Sequence, residues 1–115
     1  MTEPNAVPAG AILETWAQDV WANGVQIDDR EDMETLAVRT GNSVYEITII
    51  EGRTGEILVR GGKLFPELTP ARLAGATLGG SFCKLRGIYV GFRMELNAHG
   101  QQFVTTPVES IGLVI

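Results

Sequence analysis

The chain is poor in the side chains that do chemistry. Among 115 residues stand one histidine, His99, and one cysteine, Cys83, with two tryptophans and two tyrosines. A lone cysteine excludes an intramolecular disulfide, and with a lone histidine it offers no zinc cluster. No run approaches the roughly 18 apolar residues of a membrane-spanning helix. The first ten residues carry neither lysine nor arginine, so the charged start of a secretory signal is missing. A cytoplasmic protein of bacterial or viral type is the expectation. Lysine and arginine form no run that would mark a nucleic-acid footprint.

What is present points to a β-domain. Apolar residues make up 44% and charged residues 20%, the balance of a globular chain. The 14 glycines are about twice average usage and suit tight turns between short strands. Residues 88 to 96 alternate cleanly, with Ile88, Val90, Phe92, Met94 and Leu96 on one parity and Tyr89, Gly91, Arg93 and Glu95 on the other. Side chains of a strand point to opposite faces with period two, so the segment reads as one half-buried strand. Residues 43 to 50 alternate likewise, with apolar residues on both parities, which suits a central strand. Turn signals at Thr40-Gly41-Asn42, Gly52 to Gly55, Gly61-Gly62 and Asn97 to Gly100 separate short apolar runs. The fold class expected is all-β and mainly antiparallel, a small closed barrel or sandwich of six to eight short strands with one N-terminal amphipathic helix.

That helix is expected over about residues 9–22. Leu13, Trp16, Val20 and Trp21 fall on one half of the helical wheel, Glu14, Gln18 and Asp19 on the other, and Asn23-Gly24 supplies a left-handed cap. Such a stripe must be buried on its own domain or in a groove of another subunit. The chain divides into a segment 1–34 (arm, helix and acidic stretch) and a β-domain 35–115. Segment 1–34 holds eight acids and one base, a balance of −7, whereas 35–115 holds six acids and eight bases, a balance of +2. Five carboxylates lie within Asp28 to Glu34, but the glycine and spacing of a calcium loop are missing, and a solvated acidic loop is expected.

Residues 63 to 80 read as an irregular region with a short helical turn started by Thr69-Pro70, and a loop of that length is a first suspect for a functional surface. Cys83 alternates onto the apolar parity with Leu85 and is expected to be buried rather than nucleophilic. His99 sits in a turn beside Gly100 and is expected to face solvent. Gly75 to Ser81 has the spacing of a phosphate loop without its lysine, and Arg60-Gly61-Gly62 is a single copy of a repeat that informs only in series. Glu46, Glu95 and Arg93 suit cross-strand ion pairs as well as acid–base work.

Two segments carry a resemblance. Ser43-Val44-Tyr45-Glu46 and Thr105-Thr106-Pro107-Val108-Glu109-Ser110-Ile111 resemble the best-marked stretches of a loose group of small bacterial and phage proteins of uncharacterised function, over residues 36–111. The resemblance implies a barrel-like β-domain and no activity.

These readings converge on a protein that is not an enzyme, takes no cofactor and binds no metal. It is expected to be a protein-binding or assembly module, an oligomer of itself or a subunit of a larger complex, without nucleic-acid or membrane partners. The residues expected to meet the partner are Leu13, Trp16, Trp21, Tyr89, Arg93 and Ile115, the last because an apolar terminal strand presents an edge that needs cover. A small-ligand-binding or hydrolytic barrel using the 63–80 loop with Arg72, Arg93 or Glu95 is the alternative. An inhibitor that offers its acidic segment to a basic target is another.

Overall fold

Strand-forming alternation governs the body of the chain, and a computed structural model describes it over residues 24–79 and 82–114. The expected arm and helix, with Leu13, Trp16 and Trp21, lie outside the described residues, as does Ile115. Nine strands form among the described residues: β1 Gly24–Gln26, β2 Thr35–Thr40, β3 Val44–Glu51, β4 Glu56–Gly61, β5 Phe65–Gly79, β6 Phe82–Leu85, β7 Gly87–Tyr89, β8 Arg93–Ala98 and β9 Gln101–Val114. One 3-10 turn, Ile27–Asp29, follows β1.

All pairings are antiparallel, as the short hairpin turns require. Seven strands form one sheet in the order β4-β3-β2-β9-β8-β5-β6, and β1 and β7 form a separate ribbon. The long β5 pairs with β4 through its first half and with β8 through its second, which curls the sheet round on that strand. The all-β antiparallel expectation therefore holds, but a closed barrel does not form. β6 hangs from β5 as an edge, and the ribbon stands apart.

The core follows from parity. Leu36 and Val38 of β2 face Ile47 and Tyr45 of β3, and Ile47 and Ile49 face Val59 and Ile57 of β4. All seven are buried, and they cluster with Phe65, Leu73, Ile88, Met94, Leu96 and Val108. The β8–β9 hairpin turns on His99 and Gly100, both with positive φ (53° and 74°). Two consecutive left-handed residues make the turn whose twist matches the strands it joins, so His99 is a turn residue exposed to solvent.

Three expectations need correction. Residues 63–80 are no irregular loop: from Phe65 to Gly79 they form β5, and the Thr69-Pro70 helical turn is absent. Pro70 sits opposite Leu58 where β5 has β4 as its neighbour and not yet β8. A one-sided stretch tolerates a residue that cannot donate to a ladder. The run 88–96 is two strands rather than one, broken at Gly91 (φ 92°) by a turn in which Phe92 N donates to Tyr89 O at 3.0 Å. The terminal strand β9 pairs with β8 through its first half and with β2 through its second, so its terminal half has β2 on one side and no strand on the other among the described residues. Cys83 is half-buried, not buried.

Candidate functional site

Two surface concavities and one buried tyrosine bear on function. The tyrosine is Tyr89, expected on an open face with Arg93. It is only 1% exposed. Its ring packs edge-on against Phe92 and lies against Gly24, its partner across the ribbon, and against Gly87. A Cβ placed on Gly24 would fall 1.5 Å from the ring, and one on Gly87 would fall 2.3 Å from it. The glycines are therefore the bed of the ring, as aromatics often cover glycines in sheets. The hydroxyl donates to Gln26 Oε1 at 2.7 Å, while Gln26 Nε2 donates to Asp28 Oδ1 and to Leu85 O. Burial pushes the Tyr89 hydroxyl well above the ordinary tyrosine value, and the carboxylates of Asp29 and Asp28 push it further.

Arg93 stays exposed, with Nη1 donating to Thr105 O at 3.3 Å. Tyr89 and Arg93 therefore do not form a joint contact surface. The turn between them is open, because nothing lies within 4 Å of where a Gly91 side chain would be.

The acidic segment is held by its own arginines. Arg86 Nε meets Asp28 Oδ2 at 2.8 Å, and Arg30 grips Glu34 through two hydrogen bonds of 2.8 and 3.1 Å. Those bonds hold the Glu34 carboxyl below its usual range. Asp28 and Glu34 are thus engaged by arginine, while Asp29, Glu31 and Asp32 stay exposed. Among the described residues no three His, Cys, Asp or Glu side chains are grouped to hold a metal ion. Cys83 faces the opposite of activation: burial first, and then the nearby Glu95, push its thiol upward. Glu46 pairs with Arg60 and Glu56 with Arg72 across exposed strand faces. These carboxylates are placed as cross-strand ion pairs, although Glu56 also stands opposite Glu51 in the β3–β4 register.

The first concavity is a hollow of about 670 Å³ on the outer face of the sheet. Thr35 and Thr48, hydrogen-bonded Oγ1 to Oγ1 at 2.9 Å, lie opposite each other in the β2–β3 register. Met33, Leu68, Leu113 and Val114 line it, exposed by 67, 51, 49 and 45%. Glu34, Glu46 and Arg60 supply its charge. Four large apolar side chains around one hollow form a patch that isolated surface residues do not.

The second is a pocket of about 450 Å³ where the β2–β3 and β4–β5 turns approach β9. Asn42, Ser43, Tyr45, Lys63, Leu64, Val104, Thr105 and Thr106 line it. Beneath it Phe65 packs edge-on against Tyr45 and Phe103. Of the 63–80 stretch suspected from sequence, only Lys63 and Leu64 reach this pocket, and Arg72, Arg93 and Glu95 do not.

Neither concavity was named by sequence reasoning. A weak signal existed for the hollow, since Leu68 stands between Pro66 and Pro70 where no core parity claims it. The pocket had none, because its residues come from three separated segments. Comparison with protein-family models, with curated proteins and with solved structures finds no match for the chain. None of the described helices is long and apolar enough to cross a membrane.

Proposed function

We propose that the chain is a non-enzymatic assembly module that associates with itself, the outer hollow of one copy receiving the amphipathic segment 9–22 of another. The observation that carries this reading is the convergence of Met33, Leu68, Leu113 and Val114 on one hollow with large exposed fractions. An amphipathic helix laid into an apolar groove is a common mode of recognition, and segment 9–22 has the stripe for it: Leu13, Trp16 and Trp21.

A second copy is taken as the donor because β1, which segment 9–22 precedes in sequence, lies on β7, and neither β1 nor β7 lines the hollow. Covering these four side chains removes apolar surface from water on one side of the contact, and the tryptophans of the docked segment add theirs on the other, against the cost of ordering a helix. The cytoplasmic, bacterial or phage setting expected from the sequence belongs to this proposal as well.

The test is the mass in solution of the whole chain at micromolar concentration. The unsubstituted protein runs at a multiple of 12.4 kDa, and Leu68→Asp, at an exposed strand position, returns it to the single-chain mass with its circular dichroism intact. Trp16→Ala does the same from the other side of the contact. A protein that is monomeric without any substitution refutes the proposal.

A further inference from the structure

We infer that the pocket between the β2–β3 turn, the β4–β5 turn and β9 binds a small organic carboxylate. The inference is independent of the assembly reading, which concerns a different face.

Three hydroxyls in this pocket are without a protein partner. Tyr45 is 4% exposed, and its Oη makes no hydrogen bond among the described residues. Thr106 Oγ1 is buried with no hydrogen-bond partner. The Ser43 hydroxyl likewise meets no described partner, although the Ser43 carbonyl accepts from Thr40. Of the three, only Thr106 Oγ1 is closed off from solvent, where an unpaired polar atom costs stability; the Tyr45 and Ser43 hydroxyls keep access to solvent and are the two a ligand can reach. Thr105, by contrast, is satisfied: its Oγ1 accepts from Met94 N and donates to Thr106 O.

The turn geometry brings two of these hydroxyls together. Gly62 has φ of 60°, and a Cβ placed on it would lie 2.7 Å from Ser43 Oγ and 3.2 Å from Tyr45 Oη. The Ser43 side chain therefore sits close against the bare Gly62 backbone, and the absence of a Cβ there is what lets the Ser43 and Tyr45 hydroxyls lie near each other at the turn. Lys63, exposed and next in sequence, brings an ammonium to the same rim, and the Asn42 side chain adds an amide.

Hydroxyl donors and one cation recognise an anionic acceptor, because hydrogen bonds to a charged group are the stronger ones. Leu64 and Val104 give the other wall an apolar character, which suits a ligand with a short hydrocarbon body. The volume lies within the range of small-molecule sites. A single cation and an apolar wall fit a monovalent carboxylate better than a phosphate.

Titration of the isotope-labelled whole chain with butyrate, followed by amide NMR shifts, tests this, with inorganic phosphate at equal ionic strength as the second arm. Butyrate is expected to produce saturable shifts confined to residues 42–45, 62–64 and 104–106. Tyr45→Phe, which keeps the ring and removes the hydroxyl, is expected to weaken binding about tenfold or more, the usual effect of a hydrogen bond to a charged group. Lys63→Met, at an exposed position, weakens it while leaving the rest of the spectrum unchanged. No saturable shift with butyrate, shifts scattered over the surface, or tighter binding of phosphate each overturn the assignment. So does full binding by both variants.

Discussion

Replacing Gly24 by alanine tests how the ribbon is built. Gly24 does not lie in the left-handed region, and in a strand alanine is no worse than glycine, so the backbone raises no objection. The objection is steric: the new methyl would fall 1.5 Å from Tyr89 Cδ1, and real contacts stay beyond 3 Å. The ring must leave its bed between Gly24 and Gly87. That forfeits its packing on Phe92 and its hydrogen bond to Gln26 Oε1. Removing a large buried aromatic costs about 3–5 kcal/mol, and a lost hydrogen bond adds about 1 kcal/mol. The swung-out ring keeps some contacts, so about 2–4 kcal/mol is expected for Gly24→Ala. Urea unfolding followed by circular dichroism measures it. The double variant Gly24→Ala/Tyr89→Ala is the sharper readout. With the ring gone the methyl has room, and the double variant should be no less stable than Tyr89→Ala alone, a coupling of about 2 kcal/mol or more. Additive losses would show that the ring does not rest on Gly24.

Two further outcomes follow from the same chemistry. Cys83 should react with iodoacetamide at pH 8 more slowly than a free thiol, because its thiolate is disfavoured by burial and by Glu95; Glu95→Gln should speed the reaction, and a rate at or above that of free cysteine would refute the reading. Tyr89 favours its neutral form in the folded state. A folded value raised above the unfolded one, about 10, makes a contribution that is complete below pH 10 and lost as pH rises beyond it. Stability measured by urea unfolding between pH 9 and pH 11 should therefore fall, and Tyr89→Phe, which cannot ionise, should flatten that fall. An equal fall in both proteins would assign the alkaline sensitivity elsewhere.

The parts of the fold that were legible in sequence are those that depend on period-two alternation. Tyr45, Ile47 and Ile49 were placed on one face by parity alone, and the structure buries all three. Met94 and Leu96 follow the same rule. The alternation of residues 88–96 was legible as burial on its apolar parity, but it missed the buried Tyr89 and the topology. Ile88 and Phe92 are buried as their parity demands, yet the strand between them is broken at Gly91, and no local pattern reports a turn whose two arms keep the same phase. Thr69-Pro70 misled for a related reason. Threonine and proline at a helix start and in a one-sided strand look alike locally, and only the β4 neighbour decides between them.

The two concavities were illegible because they are assembled across the register. Met33, Leu68 and Val114 meet only where the entry to β2, the start of β5 and the end of β9 come together across β3 and β4, and Ser43, Lys63 and Thr106 only where two turns approach β9. The missing chemistry, by contrast, was plain from composition: a lone Cys83 and a lone His99 cannot build a disulfide or a zinc cluster wherever the fold sets them.

The sequence by itself determined the class of the protein and the core side of each hairpin strand, because side-chain direction in a strand is set by the backbone within a few residues. Tertiary structure alone decided that β9 changes neighbour from β8 to β2 midway, that β6 is an edge, that Tyr89 lies on two glycines, and that the Tyr45 and Ser43 hydroxyls meet at one pocket. Those depend on which strands become neighbours, and neighbours are chosen by the packing of the whole sheet.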